Sequence, residues 1–140
     1  MAFLLDTMVL SEPAIPAPNP GVIAWLRAQS PVSLAVSVLT FGELEKGVAL
    51  LAPPPRRDEL QRWLRTDLPR QFAGRVLPID EDVAREWGRL AAQWQLDGRP
   101  LPAIDGLLLA TAAVHGLTFV TRNERDCENR GVPVLNPWSP

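Results

Sequence analysis

Sulfur and imidazole are scarce in these 140 residues, with one cysteine, Cys127, and one histidine, His115. A lone thiol closes no internal disulfide, which fits a reducing compartment. Cys127 then reads as an ordinary semi-buried thiol. One His and one Cys make no ligand-spaced cluster for zinc. Lysine is equally rare: of fourteen basic residues only Lys46 is Lys and the rest are Arg. No apolar run approaches the roughly 20 residues of a membrane span. The opening MAFLLDTMVL has no basic segment ahead of its apolar stretch and meets an acid at Asp6, so it does not read as a signal peptide. Also missing are a nucleophile elbow, a P-loop and a Gly-rich dinucleotide turn. A cytoplasmic protein with no membrane segment is expected.

What is present describes a folded chain. Apolar residues make up 46% and charged residues 21%, the balance of a globular protein and not of a disordered one. A chain of this length can bury roughly 68% of its unfolded surface, so one domain over residues 1–140 is expected. The net charge of −2 does not advertise nucleic-acid binding. Six Arg do cluster in PPPRRDELQRWLRTDLPRQFAGR. A planar guanidinium matches phosphate geometry, but a solvated helix face explains that cluster as well.

Strand and helix patterns alternate along the chain. FLLD is a short apolar run with Asp6 at its end, and SEPAIPAPNP is Pro-rich and expected to be a loop. Asn19 can cap a helix that Pro20 opens over GVIAWLRAQ. VSLAVS is a second strand, followed by a helix from about Val38 to Leu51. PPPRR is expected to break the chain before a helix from about Arg57 to Phe72. RVLPID is the third strand, and Asp80 or Asp82 can cap the helix EDVAREWGRLAAQWQLDG. The helix in PLPAIDGLLLATAAVHG closes at Gly116, LTFVT is the fourth strand and VPVLNP the fifth. Only the short polar RNERDCENRG separates the last two. Such alternation predicts an α/β fold with a mainly parallel sheet of about five strands, covered on both faces. Ligands of these folds bind outside the carboxyl ends of the strands.

The acids are placed oddly for a soluble surface. Asp105 is the only charge between Pro100 and Val114, in a helix that reads as apolar all round and so as buried. Its helix dipole is worth about 0.3–1 kcal/mol, too little to offset several kcal/mol of desolvation. Asp6 is the only charge before Ser11. Glu43 shares a helix stripe with Thr40 and Gly47, although Lys46 at i+3 offers it an ordinary surface partner. Two carboxylates 4 Å apart repel by roughly 4 kcal/mol at an effective dielectric near 20. Either one protonates or a divalent cation sits between them, and Mg²⁺ or Mn²⁺ with oxygen ligands is the simpler solution.

In order along the chain, LLDTMVLSE, the Ser37-x-x-Thr40-x-x-Glu43-Leu44 element, LPAIDGLLLATAAVHGL, TFVTRN and the closing NPW resemble PIN-domain ribonucleases of the VapC/FitB toxin type. The resemblance implies a three-layer α/β/α fold and metal-dependent cleavage of RNA by metal-activated water. It implies Asp6, Glu43 and Asp105 as catalytic, metal-holding residues, with Thr7 and Thr40 supporting them. Thr121 belongs to the same motif. It also implies a homodimer and a cognate antitoxin that blocks the acidic groove. The family's usual Asn two places after the first Asp is Met8 here. Its fourth acidic position is Asn123, with Asp126 one turn on, and either could face the metal. Arg122, or part of the Arg57–Arg75 set, would position the RNA backbone, with tRNA or structured mRNA as plausible targets. A binding-only module that has lost catalysis is the first rival. A phosphatase-like domain with Asp6 as nucleophile ranks below it, because DTMVL holds no second Asp.

Overall fold

The computed structural model describes residues 1–51 and 54–139. Five strands, β1 (Phe3–Leu5), β2 (Leu34–Ser37), β3 (Val76–Leu77), β4 (Thr118–Val120) and β5 (Val134–Leu135), form one sheet in the order β3-β2-β1-β4-β5. Every pairing is parallel. The expected strands are present but shorter, most of all RVLPID and VPVLNP, which contribute two residues each. Parallel strands need crossovers, and those put helices on both faces.

One face is covered by α6 (Glu81–Leu96) and α7 (Ala103–His115), whose Val83, Leu90, Leu108 and Leu109 pack with Leu4 of β1 and Phe119 of β4. The other is covered by α1 (Thr7–Ser11), α3 (Val38–Ala49) and the helical run that follows it. There Val9, Leu44, Leu64 and Phe72 meet Leu5 and Val120. Consecutive residues of β1 and β4 thus serve opposite layers, as the two-residue period of a strand requires. The result is the expected three-layer α/β/α sandwich.

Local chemistry explains where the elements begin and end. Asn19 caps α2 (Pro20–Ala28) by accepting from the N–H of Gly21 and Val22 at 2.9 and 3.2 Å. Asp80 caps α6 by accepting from Val83 N–H, and Gly116 ends α7 at φ 64°. A helical run goes through α4 (Pro54–Arg62), a π turn (Trp63–Asp67) and α5 (Leu68–Gln71). Pro69 has no N–H to offer the carbonyl four residues back and its ring crowds that carbonyl, which accounts for the widened turn before it.

The structure departs from the expected elements in four places. The loop expected over residues 11–20 is helical at its start: α1 begins directly after Asp6, takes in Ser11 and runs into a 3₁₀ turn (Glu12–Ala14) that tolerates Pro13 in its first turn. The break expected at PPPRR falls partly on Pro53, outside the described residues, while Pro54 and Pro55 open α4 itself, where first-turn N–H groups need no partner. The polar segment after β4 carries a single helical turn, α8 (Glu124–Cys127). Helix α7 is not apolar-buried all round either. Ile104 and Val114 are exposed, and Asp105 is half-buried in its first turn.

Candidate metal centre

The strand order reverses at β1. The chain steps outward on one side through β2 and β3, then returns to place β4 and β5 on the other. The crevice at such a switch point opens at the carboxyl ends of the two strands that flank it. Asp6 ends β1 there, and Thr121 ends β4.

Asp6 is held from two directions. Its Oδ1 accepts the N–H of Thr7 at 2.7 Å, which makes it the N-cap of α1. Its Oδ2 accepts the hydroxyl of Thr121 at 2.7 Å, across the switch point. Thr121 is fully buried and in turn accepts the N–H of Asn123 at 3.0 Å, so one side chain fixes both the acid and the turn after β4. The hydroxyl of Thr7 reaches back to Glu43 Oε1 on α3 at 2.6 Å. Thr7 therefore ties Asp6 and Glu43 together, one through its backbone and one through its side chain. Glu43 takes this partner in place of Lys46.

Asp105 enters from α7. Gly106, next to it, lets α7 lie close against α6: a Cβ there would sit 2.9 Å from the indole nitrogen of Trp87. Thr111 satisfies its buried hydroxyl on the carbonyl of Leu107 at 2.7 Å, so the helix interior needs nothing from the site.

Asp6 and Asp105 each carry a raised pKa, with other acids among its causes. Burial pushes the pKa of Asp6 up, the bonds from Thr121 and Thr7 oppose that, and the charge of Glu43 adds to it. Burial raises Asp105 as well, followed by the charges of Asp6 and then Asp126. The thiol of Cys127 is pushed up to about 12, first by burial and then by Asp105 and Asp6. It is an inert neighbour, as its semi-buried reading implied. The ion pairs among the described residues, Arg56–Glu59, Arg65–Glu45, Arg85–Glu81 and Arg89–Glu86, all lie elsewhere. The charge of Glu43 thus acts on Asp6, those of Asp6 and Asp126 act on Asp105, and no ion pair of the described residues takes in Asp6, Glu43 or Asp105.

The donor set fits a hard divalent cation in chemistry: oxygen donors, mutual repulsion and hydroxyl-held orientations. Among the described residues no three acidic, His or Cys side chains converge tightly enough to hold one ion together. Mg²⁺ does not require three, since it takes one or two carboxylates and completes its shell with water. Thr40 does not join the hydroxyl relay. It is fully buried and its Oγ1 has no hydrogen-bond partner, while Thr7 and Thr121 do the orienting. Met8 is exposed on α1 beside Thr7. Asn123 and Arg122 are exposed after β4, and Asp126 sits one helical turn on, close enough to Asp105 to act on its proton affinity. The role of Thr121 was visible beforehand only as part of a motif, because a 115-residue separation from Asp6 hides the contact from local pattern.

A model of the PIN domain matches residues 3–130, a span that holds every acid and hydroxyl named above. The chain belongs to the PIN domain family. Within it, Toxin FitB of Neisseria gonorrhoeae is 39% identical over 135 residues, covering 96% of this chain and 97% of that protein. VapC ribonuclease Y4jK of Sinorhizobium fredii is 37% identical over 137 residues, 98% of each chain. The crystal structure of FitAcB from Neisseria gonorrhoeae aligns with a TM-score of 0.94 at 38% identity, over 99% of both chains. The matched span thus takes in β1 to β4 and the acidic crevice, and β5 follows just past its end.

Proposed function

We propose that this chain is a metal-dependent endoribonuclease toxin, with residues 1–140 acting as one PIN unit, that hydrolyses RNA phosphodiester bonds and is neutralised by a cognate antitoxin. One observation carries the reading. Asp6 and Glu43 are tied together through Thr7 at the sheet's switch point and oriented by the hydroxyls of Thr121 and Thr7, the charge of Asp6 reaches Asp105, and no ion pair of the described residues takes in any of the three. Relatives named as a toxin and as a ribonuclease supply the activity class.

Asp6 and Asp105 would hold Mg²⁺ or Mn²⁺, with Glu43 beside them. A bound divalent ion activates water and stabilises charge developing on the phosphate oxygens. The protein's own work is to fix the acids. Thr121 and Thr7 set the rotamer of Asp6, Thr7 sets that of Glu43, and the close α6–α7 packing at Gly106 sets the height of Asp105. Arg122, exposed just past Thr121, contacts the RNA backbone. The substrate is single-stranded or loop RNA, such as sites in tRNA or mRNA, and the setting is cytoplasmic; no helix of the described residues is long and apolar enough to cross a membrane. The protein works as a homodimer. Its antitoxin lies in the apolar groove of about 380 Å³ formed by Ile15, Leu44, Val48 and Trp63, whose wall includes Glu43. A segment seated there would end at the acids.

The test is incubation of the purified protein with a mixed RNA pool in Mn²⁺ or in EDTA, beside Asp105→Asn. Cleavage that needs metal and vanishes in the variant supports the reading. Metal-independent or unchanged cleavage sinks it. A second reading, a binding module without catalysis, is motivated by Met8 and Asn123, and absence of cleavage from folded, antitoxin-free protein would favour it.

A further inference from the structure

The last residues of the chain build a second feature at the same sheet edge. Gly21 and Trp25 of α2, with Asn136, Pro137, Trp138 and Ser139, line an open recess of about 460 Å³. Its walls are set in place. Trp25 is locked edge-on against Phe3, with ring centroids 5.1 Å apart and planes at 81°. The 136–139 segment crosses close over the start of α2, so that a Cβ on Gly21 would lie 3.4 Å from the Pro137 carbonyl. Asn136 accepts the N–H of Trp138 at 2.9 Å and donates to the Arg122 carbonyl at 3.4 Å, which joins the hook to the residue after Thr121.

Arg122 itself lies over Trp138, its guanidinium carbon 5.4 Å from the ring centroid. It is exposed and takes no carboxylate partner in the ion pairs of the described residues. Beside a centre rich in carboxylates, a guanidinium held over an indole with no carboxylate partner offers a surface for another plane. Asp6 ends β1 and Asn136 follows β5, two strand spacings away, or roughly 10 Å. A strand of RNA with a phosphate at the acids has its neighbouring bases at that distance. Unstacked bases are taken up on aromatic rings and on Arg planes.

We propose that the recess lined by Trp25 and Trp138, with Arg122 lying over the Trp138 ring at its side, is a stacking subsite for one nucleobase of the RNA, beside the bond that is cut. This rests on the ribonuclease reading and deepens it. The subsite fixes where along the strand the scissile phosphate falls. A base stacked on the Arg122–Trp138 pair sets the register, and the polar edge of that base meets the exposed Ser139.

The test measures binding, so that it does not depend on turnover. Full-length Asp105→Asn protein in Mg²⁺ is titrated with a labelled single-stranded RNA and with copies carrying one abasic nucleotide at each successive position. One position is expected to weaken binding by about five- to hundred-fold, the range for loss of one stacked base. In Trp138→Leu and in Arg122→Gln that positional penalty should disappear, because the platform is gone, while Trp138→Phe should keep most of it. Arg122 is exposed, so its variant tests the idea even where Trp138→Leu disturbs the fold. A penalty that stays unchanged in Arg122→Gln, or no single sensitive position in RNA that binds and is cut by the wild-type protein, overturns the subsite alone. RNA neither bound nor cut overturns the subsite and the ribonuclease reading together.

Discussion

Replacing Thr121 by Val removes one hydroxyl and leaves the shape of the side chain nearly intact. Two hydrogen bonds go with it: the one donated to Asp6 at 2.7 Å and the one accepted from Asn123 N–H at 3.0 Å. Asn123 is exposed, so water replaces the second at little cost. The first is charge-assisted, a class worth about 1.5–3 kcal/mol. Asp6 keeps Thr7 N–H and is partly open to water, which places the loss at about 1–2 kcal/mol. Unfolding entropy near 2.1 cal/mol/K per residue over 140 residues gives about 0.3 kcal/mol per degree. The melting temperature should therefore drop by about 3–7 °C at neutral pH. The pH dependence is the sharper test. The Thr121 bond holds the pKa of Asp6 down against burial, so the variant raises that pKa further. A carboxylate with a raised folded pKa binds its proton more tightly in the native state, so stability falls as pH climbs from the ordinary value of 3.8 through the raised one. The gap between variant and wild type should thus widen over that window and then level off. Thermal unfolding followed by circular dichroism in EDTA, from pH 4 to 8, reads it directly. Thr111→Val is the control, since that equally buried hydroxyl bonds only the neutral Leu107 carbonyl and its loss should be independent of pH. Equal, pH-independent losses in both variants would refute the reasoning.

Asp105→Asn should abolish cleavage yet stabilise the metal-free protein at pH 7, by on the order of 1 kcal/mol, because it removes a half-buried charge that faces Asp6 and Asp126; calorimetry in EDTA measures it, and Mg²⁺ should raise the melting point of the wild type more than that of the variant. Thr7→Val should lower activity more than stability, since it frees Glu43 from its 2.6 Å donor while Asp6 keeps the Thr7 N–H; kcat in Mn²⁺ beside the melting temperature separates the two. Gly106→Ala should cost about 1–3 kcal/mol by overpacking, because its methyl would sit 2.9 Å from the Trp87 ring, and urea unfolding midpoints check it. Met8→Asn should leave stability within about 0.5 kcal/mol, as expected for an exposed position, and should tighten Mg²⁺ binding measured by titration calorimetry.

Much of this was legible in the sequence because local chemistry and global fold agree. Asn19–Pro20, Asp80 and Gly116 are capping signals that the backbone obeys, and the apolar runs at Phe3–Leu5 and Leu34–Ser37 become central strands. The failures share a cause. The expected loop SEPAIPAPNP opens on Ser11, Glu12 and Pro13, a loop composition, yet Asp6 caps a helix that runs into it. The same carboxylate belongs to the site, so site and helix start are one feature that local propensity cannot separate. Thr121 was legible only through its motif, and the 136–139 hook only as NPW, because their contacts, with Asp6 and with Arg122, cross the sheet and leave no periodicity behind.

The way the acids are held says something about their task. A carboxylate kept for stability is commonly paired with a base, and the chain's many arginines make such partners easy to supply. Arg130 shows the alternative: buried, it stacks on Trp94 at 5.3 Å and spends its donors on the carbonyls of Asp126 and Arg99. None of the Arg side chains in the ion pairs of the described residues is turned on Asp6, Glu43 or Asp105. Hydroxyls and one backbone N–H hold Asp6 and Glu43 instead. Such donors fix orientation and leave the negative charge in place, whereas a guanidinium would cancel it and block the crevice. Repulsion kept in this way invites something removable to relieve it, and in the proposed reading a divalent ion that comes and goes with substrate would do so. This reasoning predicts that a base introduced beside the acids, such as Met8→Arg, stabilises the metal-free protein and weakens Mg²⁺ binding together. A variant that gained stability with Mg²⁺ affinity unchanged would show that the missing base is incidental.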